Sequence, residues 1–120
     1  MHFRGLPLLL LTTIGAKSGE RRQTLVAWFA DEAQPQAWLV VASDAGADKH
    51  PAWFRNLMAH PEAAMVQILN RTTKVHPEVL TAAERATVWP RITTEGPEFV
   101  AFQARTKRIL PVVRLLADGR

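Results

Sequence analysis

Two short stretches of this chain gather groups that could hold an anion. In the first, Thr12-Thr13-Ile14-Gly15-Ala16-Lys17-Ser18-Gly19-Glu20-Arg21-Arg22, two glycines free the backbone to turn and present N–H groups. Ser18 offers a hydroxyl there, and Lys17, Arg21 and Arg22 add fixed positive charge. These are the parts of an anion cradle. They suit equally a hairpin loop whose basic residues are solvated, because short glycine motifs often match by chance. It is not a Walker A sequence, since no Gly-Lys-Ser/Thr opens a helix at the required glycine spacing. In the second stretch, Ala42-Ser43-Asp44-Ala45-Gly46-Ala47-Asp48-Lys49-His50-Pro51-Ala52-Trp53-Phe54-Arg55-Asn56-Leu57, a loop of small residues runs into a helix start. Backbone donors at a positive helix end suit a phosphate or the carbonyl edge of a planar ring. Trp53 falls in the first turn of that helix, where an indole is either core or a cofactor contact.

The remaining titratable groups are less suggestive. His2, His50, His60 and His76 show no metal-ligand spacing. His50, beside the second loop, is the candidate proton source. Glu95 and Glu98 straddle Gly96-Pro97 and read as helix punctuation. Arg105-Thr106-Lys107-Arg108 reads as a solvated helix end whose cations complement the terminal dipole. The absence of cysteine removes thiolate metal sites, disulfides and cysteine nucleophiles together.

The elements that must position these groups follow from apolar patterning. Leu6 to Ile14, Arg22 to Ala30 and Ala37 to Ser43 read as three strands, and their short connections suggest an antiparallel meander. Asp48 is the expected N-cap of a helix carrying Trp53, Leu57 and Met58, which His60-Pro61 ends. Ala64 to Leu69 and Thr72 to Leu80 are two more strands around a turn at Asn70-Arg71, with Pro77 marking a bulge or an edge. Thr81-Ala82-Ala83-Glu84 is a capping box for a helix that stops before Gly96-Pro97. A shorter helix then carries Phe99 and Phe102 on one face, and Ile109 to Leu116 is the last strand. The order β-β-β-α-β-β-α-α-β lacks the alternation a parallel sheet demands and points to an antiparallel barrel with helices at its rim.

A length of 120 residues predicts one domain, 1–120, and 48% hydrophobic with 22% charged residues predicts an ordinary globular chain. The net charge of +4 favours an anionic partner. No run reaches the roughly 20 apolar residues of a membrane helix, and no targeting segment is read, so the cytoplasm is the expected location.

Three motifs then converge. Thr-Thr-x-Gly-x-Lys-Ser-Gly at Thr12–Gly19, the Ser43–Pro61 segment with Trp53-Phe54 and Asn56-Leu57, and Phe99-x-x-Phe102-Gln103-x-Arg105-Thr106-x-Arg108-x-x-Pro111-Val112-Val113 occur in order from Leu6 to about Leu116. Together they resemble the deazaflavin-dependent nitroreductase family, antiparallel split β-barrel oxidoreductases that bind coenzyme F420. The resemblance implies that Lys17 and Arg22 grip the cofactor's phosphate and acidic tail, with Ser18 and Gly19 shaping the turn. It implies that Ser43 and the N–H groups of Ala45 and Gly46 meet the ring beside Trp53, while Phe99 and Phe102 wall the substrate pocket. Ala16 stands where the family often has Arg, with Arg21 as a substitute, and Asp44 stands where Lys or Asn is common. The chain has no tyrosine, and the family's ring-side tyrosines match Ala27, Phe99 and Phe102. A catalytic proton then falls to Ser43, His50 or water.

The implied activity is hydride transfer from reduced F420 to a small, flat organic acceptor such as a nitroaromatic or a quinone. FMN is the alternative cofactor, and a non-catalytic module holding cofactor or fatty acid is the alternative function. No nucleic-acid partner is expected, because the charges are not interleaved with stacking aromatics. No metal is expected. Homodimerisation and peripheral membrane contact are left open.

Overall fold

The computed structural model describes residues 2–118. The apolar run Leu6–Ile14 forms β2, preceded by the two-residue β1, His2–Phe3, and followed by β3, Arg21–Ala27. β2 and β3 pair antiparallel from Leu8↔Ala27 to Ile14↔Arg21. The expected strand from Arg22 to Ala30 breaks at Trp28, and its second part, β4 (Phe29–Ala30), pairs with β5 (Ala37–Val41) rather than with β2. The three-strand meander is therefore corrected, because β3 and β5 share no ladder. The bend at Trp28 hands the chain from one side of the sheet to the other.

β6 (Met65–Ile68), β7 (Arg71–Val79) and β8 (Val112–Ala117) complete the sheet, and every pairing is antiparallel. The pairing order is β3-β2-β6-β7-β8-β5-β4. Because β3 and β4 adjoin in the chain, this order returns to its start and the sheet curls into a barrel. β6 covers β7 only over Arg71–Lys74 and β8 takes over from Val75. Pro77 thus sits where β7 has a strand on one side, as its missing N–H requires.

Alternation along the strands sorts the apolar residues into two bodies. Leu9, Leu11, Val40, Val66, Val75, Val113 and Leu115 form the first, one face of five strands, which makes it the barrel interior. Phe54 and Leu57 of α1 (Ala52–Ala59) plug it. Phe29, Leu39, Val41 and Val112 point the other way, beneath Ile92 of α2 (Ala82–Glu95) and Phe99 of α3 (Glu98–Ala104).

The capping box of α2 forms as expected: Glu84 N–H donates to Thr81 Oγ1 at 3.1 Å and Thr81 N–H to Glu84 Oε1 at 2.9 Å. Asp48 does not cap α1. The N-cap is Pro51, in extended conformation at ψ 154°, with no side-chain cap. Buried Arg114 of β8 ties the layers together, its Nε 2.5 Å from Asp31 and its Nη1 3.4 Å from both Glu78 and Glu84. No helix among the described residues is long and apolar enough to cross a membrane.

Candidate active site

The loop after β2 is built to hold its own shape. Gly15 N–H donates to Glu20 O at 2.8 Å, Gly19 N–H to Gly15 O at 3.0 Å, and Glu20 N–H to Ser18 Oγ at 3.1 Å. Gly19 takes a φ of +71°, a conformation costly to a residue with a Cβ. Asn56 of α1, buried at 7% exposure, joins the loop to the helix. Its Oδ1 accepts from Ala16 N–H at 2.9 Å and its Nδ2 donates to Thr13 Oγ1 at 3.2 Å. The Lys17 and Ser18 N–H groups are left without a partner among the described residues.

Between this loop and α1 lies a cavity of about 520 Å³, lined by Lys17, Ser18, Arg22, Thr24, Trp53 and Arg55 among others. Three of these carry positive charge. Arg22 makes one exposed ion pair, 3.5 Å from Glu20, which is weak in water and leaves it free to turn to an anionic ligand. Arg21 is not among the lining residues, as expected one step along a strand from Arg22. Arg55 belongs to the second sequence stretch, but nothing in its local sequence marks it as a residue of this cavity.

A second concavity, about 320 Å³, includes Ser43, Asp44, Trp53, Thr24 and Phe99. A third, about 630 Å³, includes Leu25, Ala27, Ala45, Phe99, Phe102 and Arg105. The second shares Thr24 and Trp53 with the first, and Leu25, Ala27 and Phe99 with the third. The three therefore adjoin along β3 and are together termed the groove, with Lys17, Arg22 and Arg55 at one end and Phe99 and Phe102, beside Arg4, Glu98 and Arg105, at the other. Trp53 packs on the interior core, as one of its two readings anticipated, and it also lines the first two concavities. Phe99 is mostly core at 7% exposure, edge-on to Phe29 and to Phe102; Phe102 is half-buried.

The Ser43 loop departs from expectation. Asp44 and Ala45 adopt φ of 44° and 54°, ahead of Gly46 at 85°, and left-handed backbone costs a non-glycine residue about 1–2 kcal/mol. The Gly46 N–H, expected to face a ligand, instead donates to Ser43 O at 2.8 Å. Gly46 is buried against α3, where a Cβ would meet Phe102 O at 2.5 Å. Arginines hold the loop in this shape. Arg105 Nη1 donates to Ala45 O at 3.1 Å, and the Arg108 guanidinium donates to Ala42 O, Ser43 O and Ala47 O at 3.1, 2.9 and 2.7 Å. The reading of Arg105–Arg108 as a solvated basic run is corrected for Arg105 and Arg108, whose guanidinium groups bond to carbonyls of the loop and of Ala42, while Lys107 is exposed as expected.

His50 lies behind the loop. It lines none of the three cavities. Its Nδ1 stands 3.0 Å from Arg108 Nη1, and its ring is 4.7 Å from that of Phe54. Burial, then the Arg108 and Arg55 cations, hold its pKa below the ordinary imidazole value. Facing a donor, Nδ1 accepts and the ring is neutral, which makes it a poor acid.

Comparison with known proteins agrees with this geometry. Residues 1–117 match the model of a family described as F420H(2)-dependent quinone reductase. An F420H(2)-dependent quinone reductase of Mycobacterium tuberculosis is 32% identical over 111 residues, which cover 91% of this chain and 72% of the relative. The solved structure of an F420-H2 dependent reductase (FDR-A) superposes with a TM-score of 0.76 at 30% identity, over 96% of this chain and 98% of that one. A structure described as a domain-swapped dimer gives a TM-score of 0.77 at 30% identity, over 96% of this chain and 84% of that one. Fold and family match together define a deazaflavin-dependent oxidoreductase of the split β-barrel class. Within that class, the chain belongs to the F420H(2)-dependent quinone reductase family, and coenzyme F420 is the cofactor this membership implies.

Proposed function

We propose that the groove binds coenzyme F420 lengthwise and that the protein passes a hydride from it to a quinone. The supporting observation is the ordering of chemistry along the three adjoining concavities. Lys17, Arg22, Arg55 and the open N–H groups of Lys17 and Ser18 suit a phosphodiester and carboxylates, since charge-assisted hydrogen bonds are the strong ones. Trp53, Ser43 and Ala45 follow, in the stretch that suits a planar ring. Leu25, Phe99 and Phe102 then offer apolar walls to a flat acceptor.

Reduced F420, when bound, supplies the hydride; the protein supplies position and electrostatics. Lys17 and Arg22 hold the anionic end and fix how far the ring reaches. Trp53 and the Phe102 side chain exclude water from the reacting face. With no phenol in the chain and His50 turned away, Ser43 is the one hydroxyl-bearing candidate of the original set left beside the ring end, and it hands on a proton drawn from solvent. A second copy of the chain is a further proposed partner, supported by the dimeric structural relative.

The test is oxidation of reduced F420 by a soluble quinone, followed in the cofactor's absorbance. Turnover that requires both protein and quinone is expected. Tight cofactor binding with no oxidation by any quinone or nitroaromatic would make this a binding module instead.

A further inference from the structure

We propose that Arg108 is a positioning residue for the ring end of the groove, its guanidinium clamping the left-handed Ser43–Ala47 loop in the shape that brings Ser43 and Ala45 to the groove wall. This rests on the reading of the groove as a deazaflavin site and goes beyond it, because Arg108 lines none of the three cavities. It acts through the loop.

The clamp has three parts. The first is the guanidinium itself, whose planar fork meets two carbonyls of the loop, that of Ala42 just before it and the His50 Nδ1, all within 3.1 Å. A fork of five fixed donors can do this, whereas an ammonium is a point charge on a flexible stem. The second is what the loop would do unaided. Two consecutive non-glycine residues with positive φ relax to ordinary conformations unless their surroundings over-determine them. Three of the loop's own carbonyls and that of Ala42 point to Arg105 and Arg108, so the arginines are, beside the loop's own two turn bonds and the packing of Gly46 on α3, those surroundings.

The third part anchors Arg108. Gln103 Nε2 donates to Arg108 O at 2.7 Å, while its Oε1 accepts from Leu110 N–H and from Arg85 Nη2, both at 3.0 Å. Arg85 also donates through Nε to Leu110 O at 2.9 Å and lies 4.0 Å over the Trp89 ring. A relay of side chains thus runs from α2, through α3, to the groove's ring end. His50 belongs to it as a neutral acceptor, faced by the Arg108 and Arg55 cations and the Phe54 ring.

The experiment compares wild type with Arg108→Lys and Arg108→Ala by amide exchange at Gly46 and Ala47. It also titrates each with whole F420 and with the deazaflavin riboside that lacks phosphate and tail. Exchange at the two amides is expected to quicken about tenfold in Arg108→Lys, and the Kd of both ligands to rise by a common factor of about ten. Lys17→Ala, by contrast, is expected to weaken whole F420 and leave the riboside unchanged. Should Arg108→Ala not fold, Arg108→Lys carries the comparison. Faster exchange with an unchanged riboside Kd would reduce Arg108 to a stabilising contact and overturn the proposal, as would no change in either. A wild type that binds neither ligand would overturn the deazaflavin reading itself.

Discussion

In the proposed groove Phe99 and Phe102 would wall the acceptor's end, yet they differ as sites for a phenol. Phe102 is half-buried on the groove wall. Phe99 is wedged against Gly96, where a Cβ would come within 2.8 Å of its ring. Phe102→Tyr is therefore expected to raise quinone turnover, with the Kd for F420 nearly unchanged, because general acid help is worth roughly 10²–10⁴-fold when well placed. Phe99→Tyr is expected to lower the melting temperature for less gain. Stopped-flow oxidation beside a thermal melt separates the two. His50 offers a prediction of the opposite kind. Its pKa is depressed in the folded protein, so the unfolded chain takes up the proton first. The stability it contributes is whole above the unfolded value of 6.5 and is lost as pH falls through the folded one. His50→Gln is expected to lose less melting temperature than wild type between about pH 7 and pH 5, as calorimetry at a series of pH values would show.

At the scale of elements, the loop from Ser43 to Ala47 and α3 behave as one unit. Gly46 joins them: it has both a positive φ and no room for a Cβ. Gly46→Ala is expected to cost more than about 1 kcal/mol, the usual limit where glycine's freedom alone is at stake, and to weaken binding of the riboside. Denaturant unfolding and the same titration check this. These elements also show where sequence reasoning reaches and where it stops. The capping box at Thr81 and Glu84, the helix stop at His60-Pro61 and the edge at Pro77 were legible, because each depends on neighbours within a few residues. The break at Trp28 left no local sign, since β-tolerant residues continue across it and the competing partner, β5, lies farther along the chain. Arg108 looked like solvated charge because its acceptors are some 58 to 66 residues away. Buried Arg114 and Asp31, 83 residues apart, were silent for the same reason.

For the molecule as a whole, barrel closure turns local motifs into a site. The strand bent at Trp28 carries Arg22 at one end of the groove and Ala27 at the other, and the β2–β3 hairpin loop reaches α1 through Asn56. Trp53 stands where the cationic and apolar lengths meet, since it lines the first two cavities. In the proposed complex one cofactor runs through this junction. A fluorescence titration with F420 of wild type and of Trp53→Phe, repeated with FMN, tests this arrangement. A saturable quench by F420 is predicted in wild type, mostly lost in Trp53→Phe although the Trp28, Trp38 and Trp89 indoles remain, with FMN much weaker. A quench that persists in Trp53→Phe, or FMN binding as tightly as F420, would contradict it.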